Sequence, residues 1–223
     1  GRATSCGRIA IYADLDAGVG AIVDLRCESA PVAANDEFVQ LANDLAKQLA
    51  TGPGAATPEQ LLEQPSPSRP SQTLKQVFDD LNNRIREVFK LERMERIDGP
   101  RGGYAHHNGA AAVLLQIEGG DAELAKDICT RGAAMRPAVL AVEDLDAALV
   151  AKEREILADA ARAEGKPEKI IDKMVDGRLR NFYAERCLAE QPFVKDDKRT
   201  VGQVAQEAGM KLVRFVHWEL SQQ

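Results

Sequence analysis

The stretch RIAIYADLDAGVGAIVDLRC, residues 8–27, decides the fold. Residues 8–13 and 19–27 are runs rich in Ile and Val. Asp14-Leu15-Asp16-Ala17-Gly18 between them is turn chemistry, so the pair predicts a β-hairpin. A helix is expected next. Asn35 suits an N-cap, Phe38, Leu41, Leu45 and Leu49 recur on one face, and Thr51-Gly52-Pro53 stops the run. Thr57-Pro58-Glu59-Gln60 reads as the capped start of a short helix. Pro65-Ser66-Pro67-Ser68-Arg69-Pro70-Ser71 is a loop by composition and is expected to be mobile. A helix with Leu74, Val77, Phe78, Leu81, Ile85 and Val88 on one face follows, then a strand over roughly 88–97.

The pattern then starts again. Residues 102–107 read as a short strand, and residues 110–118 return as its partner. Asn108-Gly109 between them is a strong hairpin signal, because both residues tolerate positive φ. Asp121 opens a helix through Leu124, Ile128 and Cys129 that ends before Pro137. Thr200-Val201-Gly202-Gln203 is a capping box, Gly209 stops its helix, and residues 211–220 read as a last strand. The chain therefore holds two copies of one plan: hairpin, helix, insert, helix, strand. The second insert is predicted as two helices, about 145–164 and 167–187, joined at Gly165-Lys166-Pro167. Leu145, Leu149, Ile156 and Leu157 are expected to face Ile170, Ile171, Met174, Leu179 and Phe182, with the charged residues outward. The expected fold is α+β, with two related subdomains at 1–98 and 99–223. Each is a hairpin plus helices plus a third antiparallel strand, and the second carries an antiparallel helical hairpin, a coiled coil, at about 145–187.

Composition narrows the function. The 223 residues are 44% hydrophobic and only 4% aromatic, so the cores must be aliphatic and alanine-rich. No apolar run approaches the roughly 18 residues a membrane helix needs. No signal-peptide pattern opens the chain, and a cytoplasmic location with no membrane partner is expected. With no initiator methionine, the chain is expected to be a fragment. Residues 1–98 carry 11 basic and 15 acidic side chains, and 99–223 carry 18 and 20. Neither half offers the basic surface that phosphate binding needs, so nucleic acid is not an expected partner. Cys6, Cys27, Cys129 and Cys187 have no metal or redox spacing and read as reduced thiols.

No catalytic motif emerges. Gly18-Val19-Gly20 lies in a hairpin, not between a strand and a helix, and lacks the third glycine of a dinucleotide loop. His106 and His107 would point to opposite faces of a strand, which disfavours a shared metal. One packs and the other is solvated, or the pair contacts a partner from the hairpin tip. His217 reads as structural, and the acids form no acid–base couple. No enzyme, cofactor or metal is expected.

Four stretches carry a resemblance: Cys27-Glu28 with Val32-Ala33-Ala34-Asn35-Asp36-Glu37-Phe38; Tyr104-Ala105-His106-His107; Glu164-Gly165-Lys166-Pro167-Glu168-Lys169-Ile170 running on to Met174-Val175-Asp176-Gly177-Arg178; and Gln191-Pro192-Phe193-Val194-Lys195-Asp196-Asp197 with Thr200-Val201-Gly202. On these the chain resembles the elongation factor Ts family over almost its whole length. The resemblance implies a nucleotide exchange factor that grips the GTPase domain of elongation factor Tu and loosens its magnesium and phosphate site. It also implies a small N-terminal helical module, and because Gly1-Arg2-Ala3-Thr4 resembles the family just after it, that module is expected to be missing from this fragment.

By the same resemblance, Ser29, Ala30, Pro31, Val32, Ile85 and His106 are the partner-contact positions. The family has threonine, aspartate and phenylalanine where this chain has Ser29-Ala30-Pro31, and its acid and aromatic ring wedge into the partner. A further departure is Arg131-Gly132-Ala133-Ala134, where the family has His-Ile-Ala-Ala. Two functions stay open at this point: an exchange factor, or a relative that binds as a scaffold with weak or no exchange. A homodimer through the helical hairpin or the core is the other partnership expected.

Overall fold

The computed structural model describes residues 2–14, 16–99, 101–193 and 196–220. Gly1, Leu15 of the first turn, and Val194 and Lys195 of the fourth family stretch lie outside the described residues. The elements follow in order: β1 (Cys6–Asp14), β2 (Val19–Cys27), α1 (Ala30–Ala33), α2 (Asp36–Thr51), α3 (Pro58–Leu62), α4 (Leu74–Ile85), β3 (Lys90–Asp98), β4 (Arg101–Ala105), β5 (Ala111–Glu118), α5 (Ala122–Met135), α6 (Ala147–Ala163), α7 (Glu168–Arg186), β6 (Pro192–Phe193), β7 (Asp196–Thr200), α8 (Val201–Glu207) and β8 (Lys211–Glu219). They form two compact units, Gly1–Ala133 with Met210–Gln223, and Ala134–Gly209.

The fold is α+β and repeats one plan. The first three-stranded antiparallel sheet runs β1-β2-β3 and the second runs β4-β5-β8. Odd residues of β2 from Ala21 to Cys27 face α2 and α4, where Leu41, Leu45, Leu49, Leu74 and Leu81 close an aliphatic core. Phe38 and Phe78 both meet Phe89 edge-on at 5.2 and 5.7 Å, which concentrates the scarce aromatics there. The opposite face, Ile9, Ile22 and Ile97, packs on Ala112, Leu114 and Val216 of the second sheet. Gly102-Gly103 permits close packing on both faces of β4: a Cβ on Gly102 would sit 2.5 Å from Ala125 Cβ, and one on Gly103 2.7 Å from Ile11 Cδ1.

Several expectations change. The 65–71 loop, expected to be mobile, is tied down by hydrogen bonds at several points. Ser66 N donates to Gln72 O at 2.9 Å, Leu74 N to Gln64 O at 2.9 Å, and the Ser66 and Ser68 hydroxyls reach the buried Asp44 carboxylate of α2. A buried carboxylate needs donors, and the serines supply them. Val88 is not on the α4 face. Arg86 takes a left-handed φ of 62°, α4 ends at Ile85, and Val88 is 46% exposed. The β4–β5 turn is not a two-residue one. Gly109 alone has positive φ (73°), its N–H donates to His106 O at 2.9 Å, and the Asn108 side chain closes the loop on Ala110 N.

In the second unit most of the expected residues zip the helical hairpin: Leu145, Leu157, Ile171, Met174, Leu179 and Phe182 all join its core, and Leu149, Ile156 and Ile170 do not. Ala161, Ile171, Val175, Leu179 and Phe182 are buried, with Val150, Leu157, Ala158 and Met174 packed against them. Leu149, Ile156 and Ile170 face outward, 42%, 51% and 37% exposed. At 100° per residue, Leu149 and Ile156 share one face, and that face is turned away from Leu157 and Ala161. Arg154–Asp176, Arg162–Glu168 and Arg178–Glu164 pair across the two helices at 2.9, 2.8 and 2.8 Å. Among the described residues no helix is long and apolar enough to cross a membrane.

Candidate functional site

Strand β2 delivers the chain to an exposed tip. Cys27 is fully buried, and the next residues turn outward into α1, whose Ala30 and Pro31 are exposed. Proline in the first turn of a helix leaves no N–H stranded, and its fixed φ stiffens the turn. Asn35 then caps α2, its side-chain oxygen accepting from Glu37 N at 2.9 Å and Phe38 N at 3.2 Å.

The tip is held from the end of α4. Ser29 sits at the N-cap of α1, yet its hydroxyl does not cap that helix. It donates to Glu87 Oε2 at 2.6 Å, while Glu28 N and Ser29 N both donate to Glu87 Oε1 at 3.1 Å. The tie is reciprocal: Val88 N donates to Glu28 Oε2 at 2.7 Å. Arg2 pairs with Glu28 at 3.6 Å and donates to Arg86 O at 3.3 Å. Asn82 donates its side-chain amide to Glu87 O and so fixes the left-handed corner at Arg86. Beside the clasp, Arg84 bonds Glu37 at 2.6 Å and Asp80 at 3.1 Å. The Arg84 guanidinium holds the Glu37 carboxyl below the usual carboxylate range.

Ser29, Ala30, Pro31, Val32 and Ile85 are thus brought into one region, with Val32 and Ile85 half-buried against the first core. His106 belongs to a different element, the β4–β5 loop. It and His107 do not point to opposite faces: β4 ends at Ala105, so both lie in the turn, their ring centroids 4.4 Å apart. His106 Nδ1 lies 2.8 Å from Asn108 Oδ1. The loop docks on β1, with Ile9 N donating to Gly109 O at 2.8 Å and Arg8 Nη2 to His107 O at 3.0 Å. Arg8 and Ile9 stand opposite Leu25 and Asp24, on the part of the ladder that leads to the tip.

Ala30, Pro31 and Val88 expose apolar area with no nucleophile among them, and the clasp charges are occupied by one another. Among the described residues no group of three or more His, Cys, Asp or Glu is placed to hold a metal ion. His217 pairs with Glu219 at 3.2 Å.

A family model described as "Elongation factor TS" matches residues 28–222. The chain belongs to the elongation factor Ts family. Elongation factor Ts of Methylococcus capsulatus is 39% identical over 224 residues, covering 100% of this chain and 75% of that protein. The Thioalkalivibrio sulfidiphilus protein is 36% identical over 222 residues, with 100% and 75% covered. That of Thermobifida fusca is 35% identical over 227 residues, with 99% and 80% covered. Membership places the chain among the translation elongation factors.

Sequence reasoning missed the residue that organises the Ts-family tip, Glu87. It lies 58 residues from Ser29. Its only local trace is a lone acid between apolar Ile85 and Val88, just past a helix end. Nothing in the spacing pairs it with residues 28 and 29.

Proposed function

We propose that this protein is a guanine-nucleotide exchange factor that binds elongation factor Tu and promotes GDP release. The observation that carries the reading is the match to elongation factor Ts proteins along the whole chain. The stiff, exposed tip at 29–32 beside Ile85, and the docked loop with His106, supply contact surfaces in keeping with it. The protein acts by binding and catalyses no covalent step. It binds nucleotide-free partner more tightly than GDP-loaded partner, and by linkage GDP is weakened by the same factor. Calorimetry with the two forms of the cognate partner, together with release of labelled GDP, tests this. Equal affinity for both forms would sink it, because a ligand without preference shifts nothing.

One observation favours a second reading, a scaffold that binds without efficient exchange. Ala30 and Pro31 offer neither an acid to disturb a magnesium site nor an aromatic ring to wedge. Near-background GDP release alongside tight binding would decide for it. In the same reading the protein works in the cytoplasm, and its two halves, 1–98 and 99–223, act as related subdomains. The outward-facing Leu149, Ile156 and Ile170 support self-association through the helical hairpin, which sedimentation of the pure chain measures.

A further inference from the structure

Cys6 and Cys27 are register partners on β1 and β2, the last rung of that ladder before the tip. Both side chains lie on the α2 side of the sheet: Cys27 is in the first core, and Cys6 packs against it together with Tyr12. Opposite residues of an antiparallel pair have Cα atoms about 4.5 or 5.5 Å apart. Either spacing falls within the roughly 4.4–6.8 Å that a disulfide spans. Cys6 is half-buried and Cys27 fully buried, and both are free thiols. Cys27 donates its S–H to Ser29 O at 3.3 Å, inside the tip.

We propose that Cys6 and Cys27 form a reversible disulfide that loosens the tip at residues 28–33. The oxidant is a low-molecular-weight disulfide. Cys6, the more accessible sulfur, attacks it, forms a mixed disulfide and releases one small thiol. The Cys27 sulfur then attacks the Cys6 sulfur and displaces the second small thiol. Two protein thiols are oxidised, one disulfide is reduced to two thiols, and the two protein protons end on them. Burial pushes the Cys27 thiol up to about 11, so little of it is thiolate, and the second step relies on its place directly across the ladder from Cys6, which makes the attack intramolecular. Once Cys27 is bridged it has no S–H, and the Ser29 carbonyl loses that donor.

The test is oxidation of the 223-residue chain with oxidised glutathione, followed by tryptic mapping without reduction. Cleavage after Arg2, Arg8, Arg26 and Lys47 isolates residues 3–8 and 27–47, and these are expected to appear joined. Cys6 found only as its glutathione adduct, with Cys27 still free, overturns the proposal. The second measurement is amide hydrogen exchange over residues 28–33, expected to quicken on oxidation, to recover with dithiothreitol, and to be indifferent to oxidant in Cys6→Ser. A joined pair with unchanged exchange overturns the coupling to the tip. Loss of one hydrogen bond corresponds to a slowing of GDP release by about 2- to 10-fold. That last readout alone rests on the function proposed above. A reduced protein that releases no GDP would refute that function and leave the mapping and amide results to judge the disulfide.

Discussion

The two three-stranded sheets share one irregularity and use it differently. Each breaks register after the sixth residue of its central strand, at Asp24 in β2 and at Gln116 in β5. In the second sheet that residue is a glutamine whose amide donates to Asp98 O at 2.8 Å. In the first it is a carboxylate with no exposure, bonded by Arg26 at 2.6 Å and Arg93 at 2.9 Å. Those arginines reach on to Leu220 O and Glu219 O, each at 2.9 Å, and Arg93 lies over the Trp218 ring. So the first sheet's bulge anchors the end of the second sheet's last strand. The strand exits differ too. After β2 the chain forms the clasped tip. After β5, Gly119-Gly120, both at φ 73°, turn it into α5 beside an open cleft of about 670 Å³ lined by Tyr12, Asp14, Asp16 and Asp121. A ladder is a backbone pattern and repeats readily. What a bulge or an exit does depends on side chains, and there the halves part.

The sharpest way to break this comparison is to empty both bulges. Asp24→Ala leaves Arg26 buried without its partner and should cost about 3–5 kcal/mol of unfolding free energy. Gln116→Ala should cost about 0.5–1.5 kcal/mol, the worth of one ordinary hydrogen bond. Denaturant melts of the two variants measure the gap, and equal losses would show that the bulges carry the same load.

The inserts give the next contrast. Leu179→Ala in the hairpin seam should destabilise the second unit by about 2–5 kcal/mol. Ile156→Ala, on the outward face, should fall within about 0.5 kcal/mol. Circular dichroism melts distinguish them. A large loss at Ile156 would mean that this face is covered in solution.

At the strand exits, Ser29→Thr with Ala30→Asp and Pro31→Phe rebuilds the family's tip. A buried Phe contributes about 1.5–3 kcal/mol, or roughly 10- to 150-fold in affinity. The variant should release GDP from the cognate partner at least several-fold faster. Ala30 and Pro31 are exposed and Thr keeps the hydroxyl for Glu87, so its melting temperature should stay close to the parent's. No gain in rate would show that exchange does not run through this exit.

The smallest effect is alkaline. Burial pushes Cys129 up to about 12 and Cys27 and Cys187 up to about 11. The folded chain keeps these protons where the unfolded chain gives them up. The stability they lend is whole below the ordinary thiol value of 9.0 and drains away as pH climbs toward 11–12. At pH 9 the loss from Cys129 should be a fraction of a kcal/mol, on the order of RT. Melts at pH 7 and 9 should show it, and Cys129→Ala should flatten the slope.

Much of this was legible in the chain. Asn35, Thr57, Thr73 and Thr200 all bond the backbone N–H groups that open their helices, and three of these caps were read from a few adjacent residues. The seam of the helical hairpin was legible apart from three residues. Leu149, Ile156 and Ile170 are as apolar as Leu157 and Ile171, and periodicity does not say which of two overlapping stripes a partner helix will cover.

Sequence by itself determined the order of the main strands and helices (though not α1, β6 or β7), the repeat, the family and the positions of the tip and loop, because those signals act over one or two turns of chain. Only the tertiary structure decided what holds the tip. Glu87 meets Ser29 across 58 residues, Ser68 meets Asp44 across 24, and Cys6 faces Cys27 because two strands pair in one register and no other. A buried or half-buried polar group must find a partner wherever the fold brings one, and no local pattern encodes that meeting.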